Sequence, residues 1–509
     1  MIHGDWLARR EALTPNKTAL AVWETKERIS YQCLNAGANR AANFLRERLG
    51  IAQGDRVSIL AGNSAQYLEL LFACGKLGAI LVPLNWRLTA RELAFMVNDS
   101  APKALFYSPE YAAVMDEMKP GASVRQFVAM DQARSGDVAS YTDIQASSPA
   151  TPPPAVEFGL EQPWAILYTG GTTGLPKGAV LTHGNVTWNS INTIVSWGLR
   201  EDDIIPSFTP MFHTGGLNVF VNPLIHVGGT SLLAKGFDVE QTIDIIEQAR
   251  ITVLFMVPTM FTMLATSPRF ATADFSSLRY CISGGAPCPA ALYHTYWDQG
   301  LVFKQGYGLT EAGPNTFYVH PDDIRRKIGS VGKPLFHIDL RIVADDGADV
   351  PQGQVGELLI RGPHVTPGYW NRPEETARTI VDGWLHTGDL ATQDNEGFYY
   401  IVDRKKDMFI SGGENVFPTE VEDAIYQHPA VFEAAVIGVA DGKWGEVGRA
   451  VVTLKAGKTL SETELLDFCR ERLARYKVPK SVVFVPSLPK SAANKILKRM
   501  LRDEYGKGN

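Results

Sequence analysis

The sequence of 509 residues is poor in cysteine and has no long apolar run. Its five cysteines form no C-x-x-C pair, so a zinc site has no support, and their sparse, odd number is typical of reduced thiols. No apolar stretch reaches the roughly 18 residues that a membrane-spanning helix needs. The first ten residues carry charges and no apolar core. We therefore expect no secretory signal and a cytoplasmic location.

The composition is that of an ordinary globular protein, with 45% apolar and 20% charged residues. This argues against disordered, collagen-like and coiled-coil chains, and no repeat of fixed period is present. The net charge of −6 is uneven, because residues 470–509 hold eleven Lys or Arg against three acids. This basic tail could bind nucleic acid, a membrane surface or a polyphosphate, or it could be a solvated helical face. Nucleic acid is the weakest option, since no binding motif or interleaved aromatics accompany the charge.

The first part of the chain alternates strands and helices. A short apolar strand at 56–60 is followed by an apparent capping box of Asn63 and Gln66, a helix, and a strand at 79–84. This βαβ order predicts a parallel or mixed sheet covered by helices. The proline-rich segment 147–154 predicts a stiff, exposed linker between sub-regions.

Two later regions have a different pattern. Short alternating strands separated by turn residues occupy about 329–404 and predict a small β-barrel-like subdomain. After residue 405, a helix capped by Thr419 and Glu422, several strands and further helices predict an independent α+β domain. We therefore expect an α/β fold with an N-terminal domain at 1–404, whose sheets fill 1–328, and a C-terminal α+β lid domain at 405–509.

The strongest single motif is the segment Y-T-G-G-T-T-G-L-P-K-G, which runs from Tyr168 to Gly178. Its glycines bring backbone N–H groups close to a ligand, its threonines add hydroxyl donors, and Lys177 adds a positive charge. The segment matches neither a Walker P-loop, nor a dinucleotide fingerprint, nor a nucleophile elbow. It predicts a polyphosphate site formed by Thr169, Gly170, Gly171, Thr172, Thr173, Gly174 and Lys177.

Six further motifs follow in order along the chain: P-M-F-H-T-G-G at 210–216, S-G-G-A-P at 283–287, Q-G-Y-G-L-T-E at 305–311, H-T-G-D at 386–389, D-R-K-K-D-M-F-I-S-G-G-E-N at 403–415 and P-K-S-A-A-N-K-I-L-K-R at 489–499. With the glycine-rich loop, this ordered set resembles the adenylate-forming superfamily of acyl-CoA synthetases, peptide-synthetase adenylation domains and luciferases. The similarity runs nearly end to end, and the acyl-CoA synthetase branch is the most similar.

The resemblance implies an ATP site. Tyr307 would stack on adenine, Asp389 would accept hydrogen bonds from the ribose hydroxyls, and Arg404 would reach ribose or phosphate. Glu311 and Thr172 would hold Mg²⁺ on the phosphates, a suitable pairing of a hard cation with oxygen ligands. Further residues of this site would be Gly285, Ala286, Pro287, Gly306, Gly308 and Thr310.

Catalysis of the first step is assigned by the same resemblance to Lys495. A carboxylate must attack the α-phosphate of ATP, and a lysine between the two anions would lower their repulsion. The other catalytic residues implied are Thr172, Lys177, Glu311 and His213.

A thiol channel and an acid pocket are also implied. The CoA-binding residues would be Arg87, Gly412, Gly413, Glu414, Trp444, Tyr476, Lys477 and Lys480, and Lys406 would be the hinge on which the small domain rotates between the two half-reactions. The acid pocket would be lined by His213, Thr214, Gly215, Gly216, Phe255, Met256, Ser283, Gly284, Gly308 and Gly313. Their many small side chains suggest volume for a medium or long acyl chain.

The resemblance thus implies an ATP- and Mg²⁺-dependent acyl-CoA synthetase that uses CoA and a small-molecule carboxylic acid, with medium- or long-chain fatty acids favoured. Three alternatives stay open: an aryl-acid CoA ligase, a stand-alone adenylation enzyme that loads a carrier protein, and a non-catalytic nucleotide- or fatty-acid-binding protein. A monomer or homodimer is expected, without nucleic acid, and peripheral membrane contact stays open.

Overall fold

The computed structural model describes residues 5–170, 176–490 and 496–506. The strands of this part of the chain are, in order, β1 (Thr18–Val22), β2 (Arg28–Ser30), β3 (Arg56–Leu60), β4 (Ile80–Pro83), β5 (Ala104–Tyr107), β6 (Gln126–Ala129), β7 (Ala139–Ser140), β8 (Pro163–Thr169), β9 (Lys177–Thr182), β10 (Ile204–Ser207), β11 (Thr230–Leu233), β12 (Val253–Met256), β13 (Tyr280–Ser283), β14 (Phe303–Gln305), β15 (Phe317–Tyr318), β16 (Lys333–Pro334), β17 (Asp339–Val343), β18 (Gly356–Arg361), β19 (Ile380–Val381), β20 (Trp384–Gln393), β21 (Tyr399–Arg404), β22 (Phe409–Ser411), β23 (Glu414–Val416), β24 (Val431–Asp441), β25 (Gly445–Leu454) and β26 (Ser481–Phe484).

The α-helices of the same residues are α1 (Trp6–Leu13), α2 (Tyr31–Glu47), α3 (Ala65–Leu77), α4 (Ala90–Ser100), α5 (Ala112–Met118), α6 (Tyr141–Ser147), α7 (His183–Trp197), α8 (Thr214–Leu217), α9 (Val221–Val227), α10 (Val239–Ala249), α11 (Pro258–Thr266), α12 (Ala290–Asp298), α13 (Pro321–Ile324), α14 (Pro373–Thr379), α15 (Pro418–Tyr426), α16 (Glu462–Arg470) and α17 (Lys498–Tyr505).

The largest sheet confirms the predicted βαβ unit. Its strand order is β7-β6-β5-β3-β4-β8-β9, with β3 parallel to both β4 and β5, and only the β8–β9 pair antiparallel. The short strands of this sheet are almost wholly buried, as expected when helices cover both faces. Trp6, Phe72 and Trp164 pack edge to face beneath it.

Two more sheets complete the N-terminal α/β part, one with the order β10-β11-β1-β2 and one with the order β12-β13-β14. In the second, Met256 pairs with Ser283 and Ser283 pairs with Gln305, all in parallel strands. The three strands therefore end at one edge, and the loops after β13 and β14 leave it side by side. Ligands of α/β proteins commonly bind at this edge.

Strands β15 and β16 form a two-stranded sheet, and the two other sheets match the predicted β-rich and α+β regions. Strands β17-β18-β20-β19, with β21 on β20, form one sheet, and β23-β22-β25-β24, with β26 on β25, form the other. Helices α15 and α17 contact strand β24 of the second of these sheets, and α16 contacts strand β26. The predicted α/β fold with a smaller C-terminal α+β unit is confirmed.

Two predicted helix caps are wrong. The cap of α3 lies one residue later than predicted, and α15 has no side-chain cap. Ser64, not Asn63, caps α3 by accepting a hydrogen bond from the backbone of Tyr67. Asn63 instead donates to the Thr209 carbonyl and accepts from the Met211 backbone, which ties β3 to the segment before α8. Asn and Ser have similar preferences for the N-cap position, so the residue types alone do not show which of the two neighbours caps the helix.

The second cap, at α15, has no side-chain hydrogen bond. Glu422 is buried and accepts from the Val436 backbone and from Lys498 instead, because its position on the helix faces β24. The segment 147–154 is also not a boundary, since the strands before and after it, β7 and β8, belong to one sheet. Asn39 and Asn43 of α2 donate hydrogen bonds to its carbonyls, which anchors it.

Several cations of the basic tail pair with acids of the same C-terminal unit. Lys498 lies 2.7 Å from Glu422, Arg502 donates to Asp407, and other pairs join Lys477 to Glu420 and Lys490 to Glu433. Part of the positive charge of the tail is therefore neutralised by ion pairs within the C-terminal unit. Among the described residues, no helix combines the length and the apolarity needed to cross a membrane.

Candidate active site

The glycine-rich segment joins two antiparallel strands, as its flanking residues show. Thr169 at the end of β8 pairs with Lys177 at the start of β9, and the Thr169 hydroxyl donates to the Lys177 carbonyl. Gly170 is exposed at the turn. The predicted phosphate-binding residues Gly171, Thr172, Thr173 and Gly174 lie outside the described residues.

Lys177 begins a chain of polar contacts that leads to Glu311. Its Nζ lies 2.8 Å from Glu375 Oε1 and 5.5 Å from the ring centroid of Tyr369. The Tyr369 hydroxyl in turn donates to Glu311 Oε1 at 2.9 Å. Burial raises the pKa of Tyr369, and the neighbouring Glu311 carboxylate raises it further, so the hydroxyl keeps its proton and stays a donor. The cation and the carboxylate assigned to the phosphates therefore lie in one connected group.

The sequence motifs do not include Tyr369 and Glu375, although these residues contact Lys177 and Glu311. The backbone explains how they arrive there: Val180 donates to the Gly368 carbonyl, and Trp370 donates to the Gly178 carbonyl. The segment 368–370 thus lies along β9. In the sequence these residues appear only as a G-Y-W triplet at 368–370, and no pattern there indicates which strand the triplet would contact.

The residues assigned to adenine meet at the edge formed by β13 and β14. The Gly306 backbone donates to the Ser283 carbonyl at 2.7 Å, so the loops that carry Gly285 and Tyr307 are neighbours. Gly285 adopts a φ of 85°, a conformation that glycine accepts without strain. Ala286, Pro287 and Gly308 lie in the same two loops.

Tyr307 is linked to the ribose residues. Its hydroxyl donates to Asp389 Oδ2, while its ring packs against Phe317 with 5.7 Å between centroids. Burial and the Asp389 carboxylate together raise the pKa of Tyr307. Asp389 pairs with Arg404 across β20 and β21, and Arg404 Nε lies 3.6 Å from Asp389 Oδ1. The structure therefore brings Tyr307, Asp389 and Arg404 together as predicted.

The predicted acid pocket is centred on the Phe255 ring. A Cβ atom at Gly284 would lie 3.0 Å from that ring, and one at Gly215 would lie 4.0 Å from it. The His213 ring accepts a hydrogen bond from the Gly215 backbone through Nδ1, so a neutral His213 carries its proton on Nε2. The cavity bordered by Gly215, Gly216 and Phe255 measures about 10 Å³, room for about one water molecule.

The prediction that all the glycines of this region leave open volume is wrong. A Cβ at Gly216 would lie 2.2 Å from the Pro210 carbonyl oxygen, and one at Gly308 would lie 1.5 Å from that of Pro314. At Gly313, with a φ of 93°, the Asn189 side chain is 3.1 Å away. These glycines permit close approach of backbone, not space for a chain. Thr214 and Met256 are buried, and so is Ser283.

The C-terminal unit brings some of the predicted CoA residues together. The Gly412 backbone donates to the Trp444 carbonyl, and a Cβ at Gly412 would lie 2.9 Å from the Trp444 ring. Trp444 and Tyr476 keep 43% and 39% of their surface exposed, which is unusual for large aromatic side chains. Gly413 and Glu414 are exposed in the adjacent turn.

Three cations were assigned to the CoA phosphates. Lys477 is paired with Glu420 at 2.6 Å, and Lys480 is exposed. Arg87 belongs to the N-terminal part and stacks on Trp86, 4.7 Å from its ring centroid.

The predicted hinge residue lies at the start of the C-terminal unit. Lys406 comes two residues after the end of β21 and is exposed. Next to it, the Asp403 carboxylate accepts from the backbone of Thr419 at the start of α15. Lys495 lies outside the described residues, but Lys490 and Ile496 form an antiparallel bridge, so the two ends of the segment that carries it meet.

Glu311 is the described candidate for a metal ligand. It is 9% exposed, and Tyr369 occupies its Oε1, while Oε2 makes no hydrogen bond to another described residue. Within the described ranges, no three or more His, Cys, Asp or Glu residues cluster as a metal site of their own. A carboxylate oxygen that no other described residue occupies fits an Mg²⁺ ion that takes most of its ligands from phosphate and water.

Comparison with protein families decides the class. The AMP-binding enzyme model matches residues 7–370, and the model of the AMP-binding enzyme C-terminal domain matches residues 420–495. The chain belongs to the AMP-binding enzyme family. The similarity to the adenylate-forming superfamily, stated from the sequence motifs, is thereby confirmed.

Several relatives of this AMP-binding enzyme have assigned activities. It is 43% identical over 503 residues to a feruloyl-CoA synthase of Amycolatopsis sp, covering 99% of both chains. It is 40% identical to an indoleacetate–CoA ligase of Aromatoleum aromaticum, over 98% of this chain and 97% of the relative. A long-chain-fatty-acid–CoA ligase of Mycobacterium tuberculosis is 37% identical, with 98% of both chains covered. The predicted enzyme class, an acid–thiol ligase, is confirmed.

A solved structure supports the same placement. The anthranilate CoA ligase AuaEII, in complex with anthranoyl-AMP, superposes with a TM-score of 0.91 at 30% identity, covering 99% of this chain and 97% of that one. The AMP-binding enzyme therefore shares its fold with CoA ligases over nearly its whole length.

Proposed function

We propose that this AMP-binding enzyme is an ATP-dependent CoA ligase for an aryl or arylalkyl carboxylic acid. A carboxylate oxygen attacks the α-phosphorus of ATP, which gives the acyl adenylate and releases pyrophosphate. The CoA thiol, losing its proton, then attacks the acyl carbonyl and releases AMP. The observation that carries the acid class is the 43% identity to feruloyl-CoA synthase over 99% of both chains. Aryl acids therefore replace the fatty acids favoured from the sequence.

The acid pocket supports a compact, planar substrate. Phe255 lies between Gly215 and Gly284, and a second ring, that of Phe220, packs on it with 6.0 Å between centroids. The neighbouring cavity of about 10 Å³ must open for any acid, and further for a long acyl chain than for a single aromatic ring. An aromatic acid can use the flat face of Phe255 as one wall, because offset and edge-on ring contacts are favourable.

The nucleotide roles follow from the charges already in place. Tyr307 offers its ring to adenine, and Asp389 offers carboxylate oxygens to the ribose hydroxyls. Lys177 and Arg404 supply positive charge near the phosphates and the ribose. Each of these cations is already oriented by a carboxylate, which lowers the cost of ordering it when ATP binds. Lys495 would complete the site by neutralising the carboxylate and the α-phosphate.

Glu311 would hold Mg²⁺ through Oε2. The ion would neutralise charge on the phosphate oxygens and help pyrophosphate leave. Tyr369 donates to the other oxygen of Glu311 at 2.9 Å, which restricts rotation of the carboxylate. This chain's own contribution is thus the orientation of one carboxylate.

The second half-reaction would use the C-terminal unit, residues 405–509, as a mobile lid that turns about Lys406. Gly412 and Trp444 lie in contact, and Trp444 leaves 43% of its surface free to cover a narrow channel. An exposed indole ring is well suited to pack over the pantetheine arm and keep water from the adenylate. Lys477, Lys480 and Arg87 would meet the phosphates of CoA.

A carboxylate panel tests the proposal. Purified enzyme is given ATP, Mg²⁺ and, in separate reactions, ferulate, indoleacetate, benzoate, octanoate or palmitate, with and without CoA. Pyrophosphate release and thioester formation are measured separately. We expect the highest kcat/KM with an aromatic acid and a turnover that depends on CoA. Preference for palmitate would overturn the acid class, and acyl transfer to a carrier protein but not to CoA would overturn the CoA step.

A matched pair of variants tests the pocket assignment. Gly284→Ala would bring a methyl group to 3.0 Å from Phe255, so it should lower kcat/KM for the acid with little change in the KM of ATP. Gly236→Ala is the control, because a Cβ there meets nothing within 4 Å. Equal effects of the two substitutions would contradict the placement of the acid beside Phe255.

A further inference from the structure

A second cleft lies on the face of the β12-β13-β14 sheet that meets the end of α7. Its volume is about 480 Å³, and Trp197, Tyr280, Val302, Lys304 and Tyr318 line it. In the parallel pair of β13 and β14, Lys304 lies opposite Ile282. Side chains two residues apart on a strand point to the same face, so Tyr280, Ile282 and Lys304 share one face of the sheet. The lining residues include no member of the nucleotide, CoA or acid groups described above. We call this space the Lys304 cleft.

Lys304 is a buried cation without a counter-ion. Its residue is 3% exposed, and its Nζ makes no hydrogen bond or ion pair within residues 5–170, 176–490 and 496–506. Aromatic rings surround it instead, with centroids 4.4 Å away at Tyr280, 4.3 Å at Tyr318 and 5.8 Å at Trp197. Ring faces attract an ammonium group, but they supply no negative charge to balance it.

The other charges of the cleft are already matched. Arg279 lies 2.7 Å from Asp203, to which it also donates through Nε, so that pair is neutral. His320 lies at the rim, exposed, beside Asp322. Whenever Lys304 is protonated, the cleft therefore carries one uncompensated positive charge. Burial, together with the nearby Arg279, lowers the pKa of Lys304 to about 7, which is the expected sign for an ammonium lacking an acid partner.

The shape and the charge define a ligand. Taking an ammonium from water without a partner is costly, and an entering anion would relieve that cost. One excess charge matches a monoanion, whereas a phosphate dianion would replace one imbalance by another. The volume falls within the roughly 300–1,000 Å³ typical of small-molecule sites, and three aromatic rings, those of Trp197, Tyr280 and Tyr318, form part of the lining.

We propose that the Lys304 cleft binds a monoanionic aromatic carboxylate, with its carboxylate on Lys304 Nζ and its ring against the aromatic lining. This site is separate from the one in which the acid would be adenylated. It stands whether or not the aryl-CoA ligase proposal is correct, because it depends only on the cleft and its charge.

The first test is a titration of the whole enzyme with 4-fluorobenzoate, followed by fluorine NMR, without ATP, Mg²⁺ or CoA. The same titration is repeated with an acyl-sulfamoyl adenosine in excess to occupy the nucleotide site. Lys304→Met keeps the length and apolar character of the side chain and removes the charge. Lys333→Met is the matched control, since Lys333 lies 4.7 Å from the ring centroid of Phe398 and outside the cleft.

We expect Lys304→Met to weaken binding of 4-fluorobenzoate at least tenfold, and Lys333→Met to leave it unchanged. The neutral analogue 4-fluorobenzamide should bind at least tenfold more weakly than the acid to the wild-type enzyme. Thermal unfolding checks that both variants are folded. Equal affinity of Lys304→Met and wild type, or of amide and acid, would overturn the proposal.

A second test needs no substitution at Lys304. The acid stays ionised between pH 7 and pH 9, while Lys304 loses its proton, so affinity should fall about 50-fold over this range. Arg279 keeps its charge, Asp203 is its partner, and burial raises the pKa of Tyr280 and of Tyr318. His320→Asn removes the remaining titratable group at the rim and should leave the profile unchanged. A flat affinity from pH 7 to pH 9 would overturn the assignment to Lys304.

Discussion

Lys304 also provides a test of the structure through stability. Its pKa is lowered from 10.5 to about 7 by burial, so in the folded protein the ammonium form is destabilised by the equivalent of roughly 3.5 pKa units. At about 1.4 kcal/mol per unit, this corresponds to a penalty of up to ~5 kcal/mol when Lys304 is charged. Replacement by methionine removes the charge and keeps an apolar side chain of similar volume, which aromatic surroundings accept well. We therefore expect Lys304→Met to be more stable than wild type.

The stability difference between wild type and Lys304→Met should depend on pH in a defined direction. Below pH 7 the lysine is protonated in both the folded and the unfolded state, and the penalty is fully present. Between pH 7 and pH 10.5 the unfolded state binds more protons than the folded state, so the wild-type protein gains stability as the pH rises. The advantage of Lys304→Met should thus shrink by about 2 kcal/mol from pH 7 to pH 9.

The measurement is the midpoint of thermal or urea unfolding of both proteins at pH 6, 7, 8 and 9, with Lys333→Met as control. Because a chain of this size need not unfold in two states, the comparison uses midpoints of the transition that includes the N-terminal sheets. Lower stability of Lys304→Met at pH 6, or a difference that does not depend on pH, would refute the reasoning about an uncompensated buried ammonium.

Three further expectations concern the catalytic site. Asp389→Asn should raise the KM of ATP about tenfold or more in a pyrophosphate assay, because a charged acceptor contributes about 1.5–3 kcal/mol; an equal rise in the KM of the acid would contradict its ribose role. Glu311→Gln should lower kcat about 100-fold and raise the Mg²⁺ requirement, whereas Tyr369→Phe, which only frees the carboxylate, should cost less than tenfold; the reverse order would count against Glu311 as the metal ligand. Trp444→Ala should slow thioester formation from added acyl adenylate while ATP–pyrophosphate exchange continues, and loss of exchange would remove Trp444 from the CoA step.

The sequence predicted the parts of the site that depend on local order along the chain. The motifs predicted that Gly285 and Tyr307 belong to one site, and the structure gives the reason, because β13 and β14 are parallel and the loops after Ser283 and Gln305 leave the sheet at one edge. The motifs likewise predicted that Asp389 and Arg404 belong to one site, and the pairing of β20 with β21 brings the two residues together. In both cases regular hydrogen bonding between strands bridges the sequence separation.

Contacts set by packing between distant segments could not be predicted in this way. Tyr369 reaches Glu311 across 58 residues, and Glu375 reaches Lys177 across a still longer separation. No periodicity or motif specifies which acid a tyrosine will meet. The uncompensated charge of Lys304 is of the same kind, because a lysine in an apolar strand is normally assumed to have a partner.

The glycines show why a small residue has two opposite meanings. At Gly284 a methyl group would press on a side chain, Phe255, that can move, and the site can adapt to a ligand. At Gly308 the same methyl group would meet a carbonyl oxygen of the backbone, which cannot move without unmaking the fold. The sequence analysis counted both glycines as pocket volume and therefore favoured a medium or long acyl chain. Once the backbone-limited glycines are removed, the small residues near Phe255 no longer support the volume that a long acyl chain would need.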